Sequence, residues 1–154
     1  ATELLRRQAV ANTRGLLEVA AWNAPDQVVL SGEGPAVSEV GRLAEDEGAK
    51  VVYLSIPGPF HSPLMQAARA PFGEIVGALE MCEPSCVYYS SVAARPLQDP
   101  EEIRRWLVDA LILPVRWHET VSRMARDGIA RVVDAGPGRT IKRFGGHPQL
   151  FGSQ

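Results

Sequence analysis

With 154 residues, of which 45% are hydrophobic and 22% charged, the chain can bury one hydrophobic core and has an ordinary globular composition. The net charge of −2 excludes a strongly basic surface for nucleic acid or an anionic membrane, and no apolar run reaches membrane-spanning length. The two cysteines, Cys82 and Cys86, are too few for a disulfide framework or a zinc site. We therefore expect a cytoplasmic protein with no metal.

The first 56 residues are predicted to run helix, strand, strand, helix, strand. This is the order of a split βαβ (ferredoxin-like) unit, βαββαβ, without its first strand. A missing strand leaves a sheet edge exposed, so we expect either a fragment that starts inside a domain or another chain that supplies the strand. The predicted elements are a helix at 1–12, strands at 16–22 and 27–31 joined by a tight turn at 23–26, a helix after Pro35, and a buried strand at 51–56.

From residue 57 onward helices and strands alternate, as in an α/β fold. We therefore divide the chain into an incomplete ferredoxin-like subdomain at 1–56, part of a larger α/β subdomain at 57–144, and a tail at 145–154. The predicted elements of the second part are a helix at 62–80, a strand at 86–92, a loop at 95–100, a helix capped by Asp99 that stops before Pro114, a helix from Trp117 to about Gly128, a strand at 129–135, and a short helix ending near Phe144.

His61 lies where no structural requirement explains a histidine. The Pro-Gly-Pro sequence at 57–59 ends the preceding strand, and Ser62 followed by Pro63 is typical of a helix N-cap and first residue. We expect His61 on a rigid strand-to-helix connection, at the sheet edge where α/β folds bind ligands. A histidine there can transfer a proton near neutral pH. The alternative is that it only hydrogen-bonds to nearby carbonyl groups.

Neither a phosphate-binding loop nor a nucleophile elbow is indicated elsewhere in the sequence. Gly136-Pro-Gly138 could offer backbone N–H groups to a phosphate, but it is too short for a P-loop or a dinucleotide fingerprint, so a turn is favoured. No serine has glycine both two residues before and two residues after it, so the chain contains no nucleophile elbow.

Four motifs occur in a characteristic order: Val-Ala-Ala-Trp-Asn-Ala-Pro-Asp-Gln-Val-Val-Leu-Ser-Gly at 19–32, Gly-Pro-Phe-His-Ser-Pro-Leu-Met at 58–65, Pro-Val-Arg-Trp at 114–117 and Asp-Ala-Gly-Pro-Gly at 134–138. Over about residues 1–144 this series resembles the C-terminal half of malonyl-CoA:acyl-carrier-protein transacylases and of the acyltransferase domains of polyketide synthases. The resemblance implies a hydrolase-like α/β domain with an inserted ferredoxin-like subdomain.

The resemblance also implies ping-pong transfer of a malonyl group without a cofactor. A serine in a Gly-His-Ser-x-Gly elbow attacks the thioester of malonyl-CoA, and the acyl-enzyme passes the group to the phosphopantetheine thiol of an acyl carrier protein. In this scheme His61 is the catalytic histidine, which takes the serine proton and returns it to the leaving thiol.

Three further residues are expected to bind substrate. Phe60 matches the position where malonyl-selective members carry phenylalanine, whose volume leaves little room for an α-methyl group. Asn23 matches an asparagine near the family's site, although an asparagine in a β-turn explains it equally well. Ser62, next to His61, completes the set.

The chain departs from the family pattern in two ways. The nucleophilic serine, the arginine that pairs with the malonyl carboxylate and an oxyanion donor all belong to the family's first half, so the N-terminal half of the domain is an expected partner. Many members carry Gln or Asn near the position of Ala110, where it helps to orient the histidine through a hydrogen bond. Because alanine has no side-chain acceptor, only a backbone carbonyl could hold His61 in one tautomer.

The sequence leaves two alternatives open. The chain could be a non-catalytic module that binds a carrier protein or complements another chain. It could also be an unrelated α/β hydrolase that uses His61, for which Asp134 is the one acidic partner well placed at a strand end.

Overall fold

A computed structural model of the chain describes residues 2–136 and 141. Within this part, two two-stranded antiparallel sheets, β1–β2 and β3–β4, are combined with helices. The elements are α1 (Thr2–Thr13), β1 (Leu17–Ala24), β2 (Gln27–Gly32), α2 (Gly34–Asp46), a short 3₁₀ helix (Pro63–Met65), α3 (Gln66–Gly77), β3 (Tyr88–Ser90), β4 (Arg95–Leu97), α4 (Pro100–Asp109) and α5 (Trp117–Arg126).

The first four elements form as predicted. β1 and β2 form a hairpin in which Ala24 pairs with Gln27, so the turn consists of Pro25 and Asp26 and Asn23 stays in the strand. Helices α1 and α2 bury their apolar faces with the hairpin, because leucine and valine removed from water stabilise this contact. The buried residues of this core are Ala9, Leu17, Ala36, Val40 and Leu43.

The predicted strands at 51–56 and 129–135 are wrong. Both segments lie outside any strand of the structure, and most of their apolar side chains face solvent, although Val132 packs against Val121. A strand requires hydrogen-bonding partners on a neighbouring strand, and the described residues place none beside these segments; apolar β-branched sequence alone cannot replace them. The exposed residues are Val52, Tyr53, Leu54, Ile56, Ile129 and Val133.

Besides the absent strand at 129–135, the second part differs from the prediction in one additional strand and in several element boundaries. The strand predicted at 86–92 is reduced to Tyr88–Ser90, and its partner is Arg95–Leu97, within the predicted loop at 95–100. The helix predicted at 62–80 begins as the 3₁₀ turn and ends at Gly77. Helix α4 begins as expected, because the Asp99 carboxylate accepts the N–H of Glu101 at 3.1 Å. The Gly136–Gly138 turn, the helix ending near Phe144 and the tail at 145–154 fall outside the described residues, apart from Gly136 and Ile141.

One connecting segment, residues 111–116, joins the β1–β2 hairpin to the second part of the chain. Val115 forms a parallel bridge with Ala21: its N–H donates to the carbonyl of Ala20 and its carbonyl accepts the N–H of Trp22, both at 2.8 Å. The N–H of Arg116 donates to the carbonyl of Ser91 at 2.7 Å. The segment therefore holds β1 beside the β3–β4 turn.

Candidate active site

Two hydrogen bonds hold His61 on the loop before the 3₁₀ helix. Its backbone has φ = 60°, the left-handed region, which histidine occupies more readily than most residues but still uncommonly. Its N–H donates to the carbonyl of Leu111 at 2.9 Å, and its ring Nδ1 lies 3.1 Å from the carbonyl oxygen of Leu113. A conformation of this kind persists where surrounding contacts fix it, and such positions concentrate at functional sites.

The Leu113 contact determines the tautomer of the ring. A carbonyl oxygen only accepts hydrogen bonds, so Nδ1 must carry the hydrogen when this bond forms. In the neutral ring, Nε2 is then an unprotonated acceptor, which is the form required of a general base. The expectation that a backbone carbonyl would hold His61, in place of a side chain at Ala110, is confirmed.

Ser62 stabilises the loop from inside. It has no exposed surface, and its hydroxyl donates to the carbonyl of Pro59 at 2.6 Å. Ser62 occupies the predicted N-cap position with extended backbone, but its side chain makes no capping hydrogen bond. This geometry favours support of the His61 loop over direct contact with a substrate.

Phe60 is the exposed aromatic neighbour of His61. Its side chain is 38% exposed, and its ring folds back over Gly58, where an added Cβ would lie 3.3 Å from the ring. Glycine at 58 therefore allows the ring to lie against the loop. Phe60 presents an apolar surface beside the histidine.

Asn23 lies on β1, near the segment that binds His61. Trp22 pairs with Val28 and Ala24 with Gln27, so Asn23 is the extra residue of a β-bulge, and it is buried. Bulges reorient a side chain and are frequent beside active sites. Since Trp22 donates to the carbonyl of Val115, two residues after Leu113, both Asn23 and His61 are positioned from residues 111–116.

Sequence reasoning missed the residues whose carbonyls organise this site, Leu111 and Leu113. Backbone acceptors leave no signature in side-chain identity, so no motif identified them individually. The one available signal was the Pro-Val-Arg-Trp sequence at 114–117, which follows them directly.

The geometry disfavours a hydrolase triad with Asp134. In such a triad an acid accepts the Nδ1 hydrogen of the histidine, but here the carbonyl of Leu113 occupies that position. The Asp134 carboxylate instead accepts the N–H of Gly136 at 3.1 Å.

In the described part of the chain, no group of three or more His, Cys, Asp or Glu side chains could hold a metal ion. Nor is any helix there long and apolar enough to cross a membrane.

Comparison with known proteins agrees with the motif order. A malonyl CoA-acyl carrier protein transacylase of Bacillus subtilis is 30% identical over 133 residues, which is 86% of this chain and 42% of that protein. The chain is homologous to malonyl-CoA acyl carrier protein transacylases. The homology also extends to the polyketide synthase GfsB of Streptomyces halstedii, which is 34% identical over 134 residues, 82% of this chain and 2% of that protein. No protein-family model matches the chain.

The structure has the α/β fold of these transacylases. It superposes on the crystal structure of an acyl-carrier-protein S-malonyltransferase from Burkholderia pseudomallei with a TM-score of 0.87 at 30% identity, covering 97% of this chain and 49% of that chain. The chain therefore spans about half the length of the transacylases that it matches. The resemblance stated from the four motifs is confirmed.

Proposed function

We propose that the chain takes part in transfer of a malonyl group from malonyl-CoA to the phosphopantetheine thiol of an acyl carrier protein, with His61 as the catalytic base and acid. One observation carries the proposal: the carbonyl of Leu113 lies 3.1 Å from Nδ1 and thereby leaves Nε2 as the proton acceptor. The substrates are inferred from the names of the homologous transacylases.

The reaction proceeds in two half-reactions. Nε2 of His61 takes the proton of a serine hydroxyl, the serine oxygen bonds to the thioester carbon, and the carbon–sulfur bond breaks as the imidazolium returns the proton to the CoA sulfur. In the second half, His61 takes the proton of the phosphopantetheine thiol, whose sulfur bonds to the acyl carbon of the serine ester as the bond between that carbon and the serine oxygen breaks. The proton then returns to the serine oxygen, which restores the free enzyme.

The nucleophilic serine is proposed to belong to an N-terminal half of the same domain, in the same or another chain. Three observations support this. The sequence has no Gly-x-Ser-x-Gly motif, and the chain spans about half the length of its relatives. The segment 51–56 also lies outside any strand and exposes apolar side chains. We propose that residues 1–56 belong to the inserted ferredoxin-like subdomain and residues 57–144 to the hydrolase-like subdomain, and that the N-terminal half covers the exposed apolar side chains of 51–56.

Phe60 and Asn23 are proposed to line the acyl site, while Ser62 maintains the loop. The half-exposed ring of Phe60 adjoins His61, so an α-methyl group on the substrate would compete with the ring for space. Pocket volume of this kind discriminates by about 10–200-fold. A cytoplasmic location and a reaction without metal or cofactor remain part of the proposal.

The test is intact mass spectrometry with malonyl-CoA and then with holo acyl carrier protein. The chain is assayed alone and after coexpression with the N-terminal half of the Bacillus subtilis relative, whose own C-terminal half is omitted. We expect a malonyl adduct on the serine-bearing half and transfer to the carrier protein only when the chain is present. The matched control is the same pair with His61→Asn. Equal transfer without the chain, or with the His61→Asn variant, would contradict the proposal.

A second function is a non-catalytic complementation or carrier-binding module. The exposed segment at 51–56 and the absence of a nucleophile elbow favour it. It predicts that the chain associates with the serine-bearing half or with the carrier protein, but that the His61→Asn pair transfers malonyl as fast as the unmodified pair.

A further inference from the structure

Helices α3 and α4 run beside each other, and two arginines fix their relative position. At one end, Arg104 of α4 donates to the carbonyls of Val76 and Leu79 at the C-terminus of α3, the latter at 3.0 Å. At the other end, Arg69 of α3 forms an ion pair with Asp109, the last residue of α4, through its Nε at 3.0 Å and a second nitrogen on the same oxygen. The Arg69–Asp109 end is the end nearest His61 in sequence.

Asp109 is connected to His61 through the turn that follows α4. Its backbone carbonyl accepts the N–H groups of Ile112 and Leu113, at 3.0 and 2.9 Å. The same turn presents the carbonyl of Leu111 to the N–H of His61 and the carbonyl of Leu113 to Nδ1. The Asp109 side chain therefore anchors the 109–113 turn on α3. The carbonyls of this turn orient His61, which lies just before the 3₁₀ helix that leads into α3.

We infer that the Arg69–Asp109 ion pair is a positioning pair for His61: it holds the 109–113 turn against the start of α3 so that Nδ1 of the histidine stays bonded to the carbonyl of Leu113. The inference rests on the proposed function of His61 and adds two residues to it. Neither residue is a catalytic residue, because each acts on the ring only through the backbone of the turn.

The ion pair has little stabilising value as a surface contact. The side chains of Arg69 and Asp109 are 41% and 28% exposed, and exposed pairs contribute little to folding because water and salt screen them. The pair does constrain geometry, because two donors on one carboxylate oxygen fix the distance between α3 and α4 at this point. Loss of the pair should therefore disturb the turn more than the fold.

The chain offers a matched control on the same helix. Arg95 and Glu102 form an ion pair of similar exposure, 44% and 21%, but Glu102 lies in the first turn of α4 and Asp109 at its end. At 1.5 Å per residue the two acidic positions are about 10 Å apart along the axis. Neutralising the Arg95–Glu102 pair removes equivalent charge without touching the 109–113 turn.

The experiment measures the tautomer of neutral His61 by ¹⁵N NMR of its imidazole at alkaline pH, with the signals assigned from the His61→Asn variant. We expect Nδ1–H in the unmodified chain and a substantial Nε2–H population in Arg69→Met and Asp109→Asn. Arg69→Lys should recover only part of the Nδ1–H form, because it retains a cation but places one nitrogen on the carboxylate. Arg95→Met and Glu102→Gln should leave the tautomer unchanged. In the coexpressed pair, kcat should fall in proportion to the remaining Nδ1–H population, by about 2-fold or more, with KM unchanged.

Each other result overturns the inference. If Arg69→Met and Asp109→Asn keep the Nδ1–H tautomer while circular dichroism shows a native fold, the pair does not position the ring. If the control variants shift the tautomer equally, the effect is general loosening. The proposed function fails on a different result, malonyl transfer that persists in the His61→Asn variant. That result does not depend on the tautomer measured in the Arg69 and Asp109 variants.

Discussion

Replacement of His61 by asparagine should separate its chemical role from its structural role. Asparagine tolerates the left-handed backbone at φ = 60°, where most side chains are disfavoured. Its side-chain N–H₂ group can also occupy the place of Nδ1 and donate to the carbonyl of Leu113. It provides no group at Nε2 and cannot exchange a proton near neutral pH.

The expected magnitudes follow from these two facts. Since the backbone strain and the Leu113 hydrogen bond are both retained, the free energy of unfolding should change by less than about 1 kcal/mol. General acid–base catalysis contributes about 10²–10⁴-fold, so transfer should fall by that factor, or about 2.7–5.5 kcal/mol in activation free energy. His61→Ala should lose the same activity and in addition about 0.5–1.5 kcal/mol of stability, because the Leu113 carbonyl loses its donor.

The assay is the rate of malonyl transfer to holo carrier protein by the coexpressed pair, with thermal unfolding of the same samples as the control for folding. A His61→Asn variant that unfolds normally and transfers malonyl within about tenfold of the unmodified rate would refute the assignment of His61 as the proton carrier.

Three further predictions concern selectivity, close packing and acid stability. Phe60→Ala should raise the methylmalonyl-to-malonyl rate ratio, measured in competition assays, by up to about 10–200-fold. The control Leu64→Ala, at a residue of similar exposure (36%), should leave the ratio unchanged. Equal ratios in the two variants would exclude a role for the Phe60 ring. Gly32→Ala should lower the free energy of unfolding, measured in urea, by at least about 2 kcal/mol, because the added Cβ would lie 2.2 Å from the carbonyl oxygen of Leu16. The control Gly34→Ala should change it by less than about 1 kcal/mol, because a Cβ at residue 34 would have no atom within 4 Å. Hydrogen bonds from Arg6 and Arg7 lower the pKa of Glu3 from 4.5 to about 2. The contribution of this carboxylate to stability is therefore complete above its unfolded pKa of 4.5 and is lost as the pH falls toward 2. The contribution is small, because water and salt screen these exposed ion pairs, so low ionic strength is used. Between pH 4.5 and 2 the melting temperature of the Glu3→Gln variant should therefore fall less than that of the unmodified chain. An equal fall would show that the Glu3 carboxylate does not contribute to this pH dependence.

The sequence determined the parts of the fold that rest on local contacts. The amphipathic spacing of α2, the proline and aspartate of the β1–β2 turn, and the Asp99 cap of α4 each specify structure within a few residues, and each formed as predicted. The motif order likewise identified the homologous family, since side-chain identity at ordered positions carries that information directly.

Tertiary structure decided what depends on distant backbone groups. The apolar segment at 51–56 has the composition of a strand but forms none, because β-pairing requires a partner that its own sequence cannot supply. The same reason explains the site: the sequence singled out His61, but its orientation depends on the carbonyls of Leu111 and Leu113, about fifty residues away, and every residue type has a carbonyl. Which carbonyl meets the imidazole is fixed by how α3 and α4 pack, and only the folded chain contains that information.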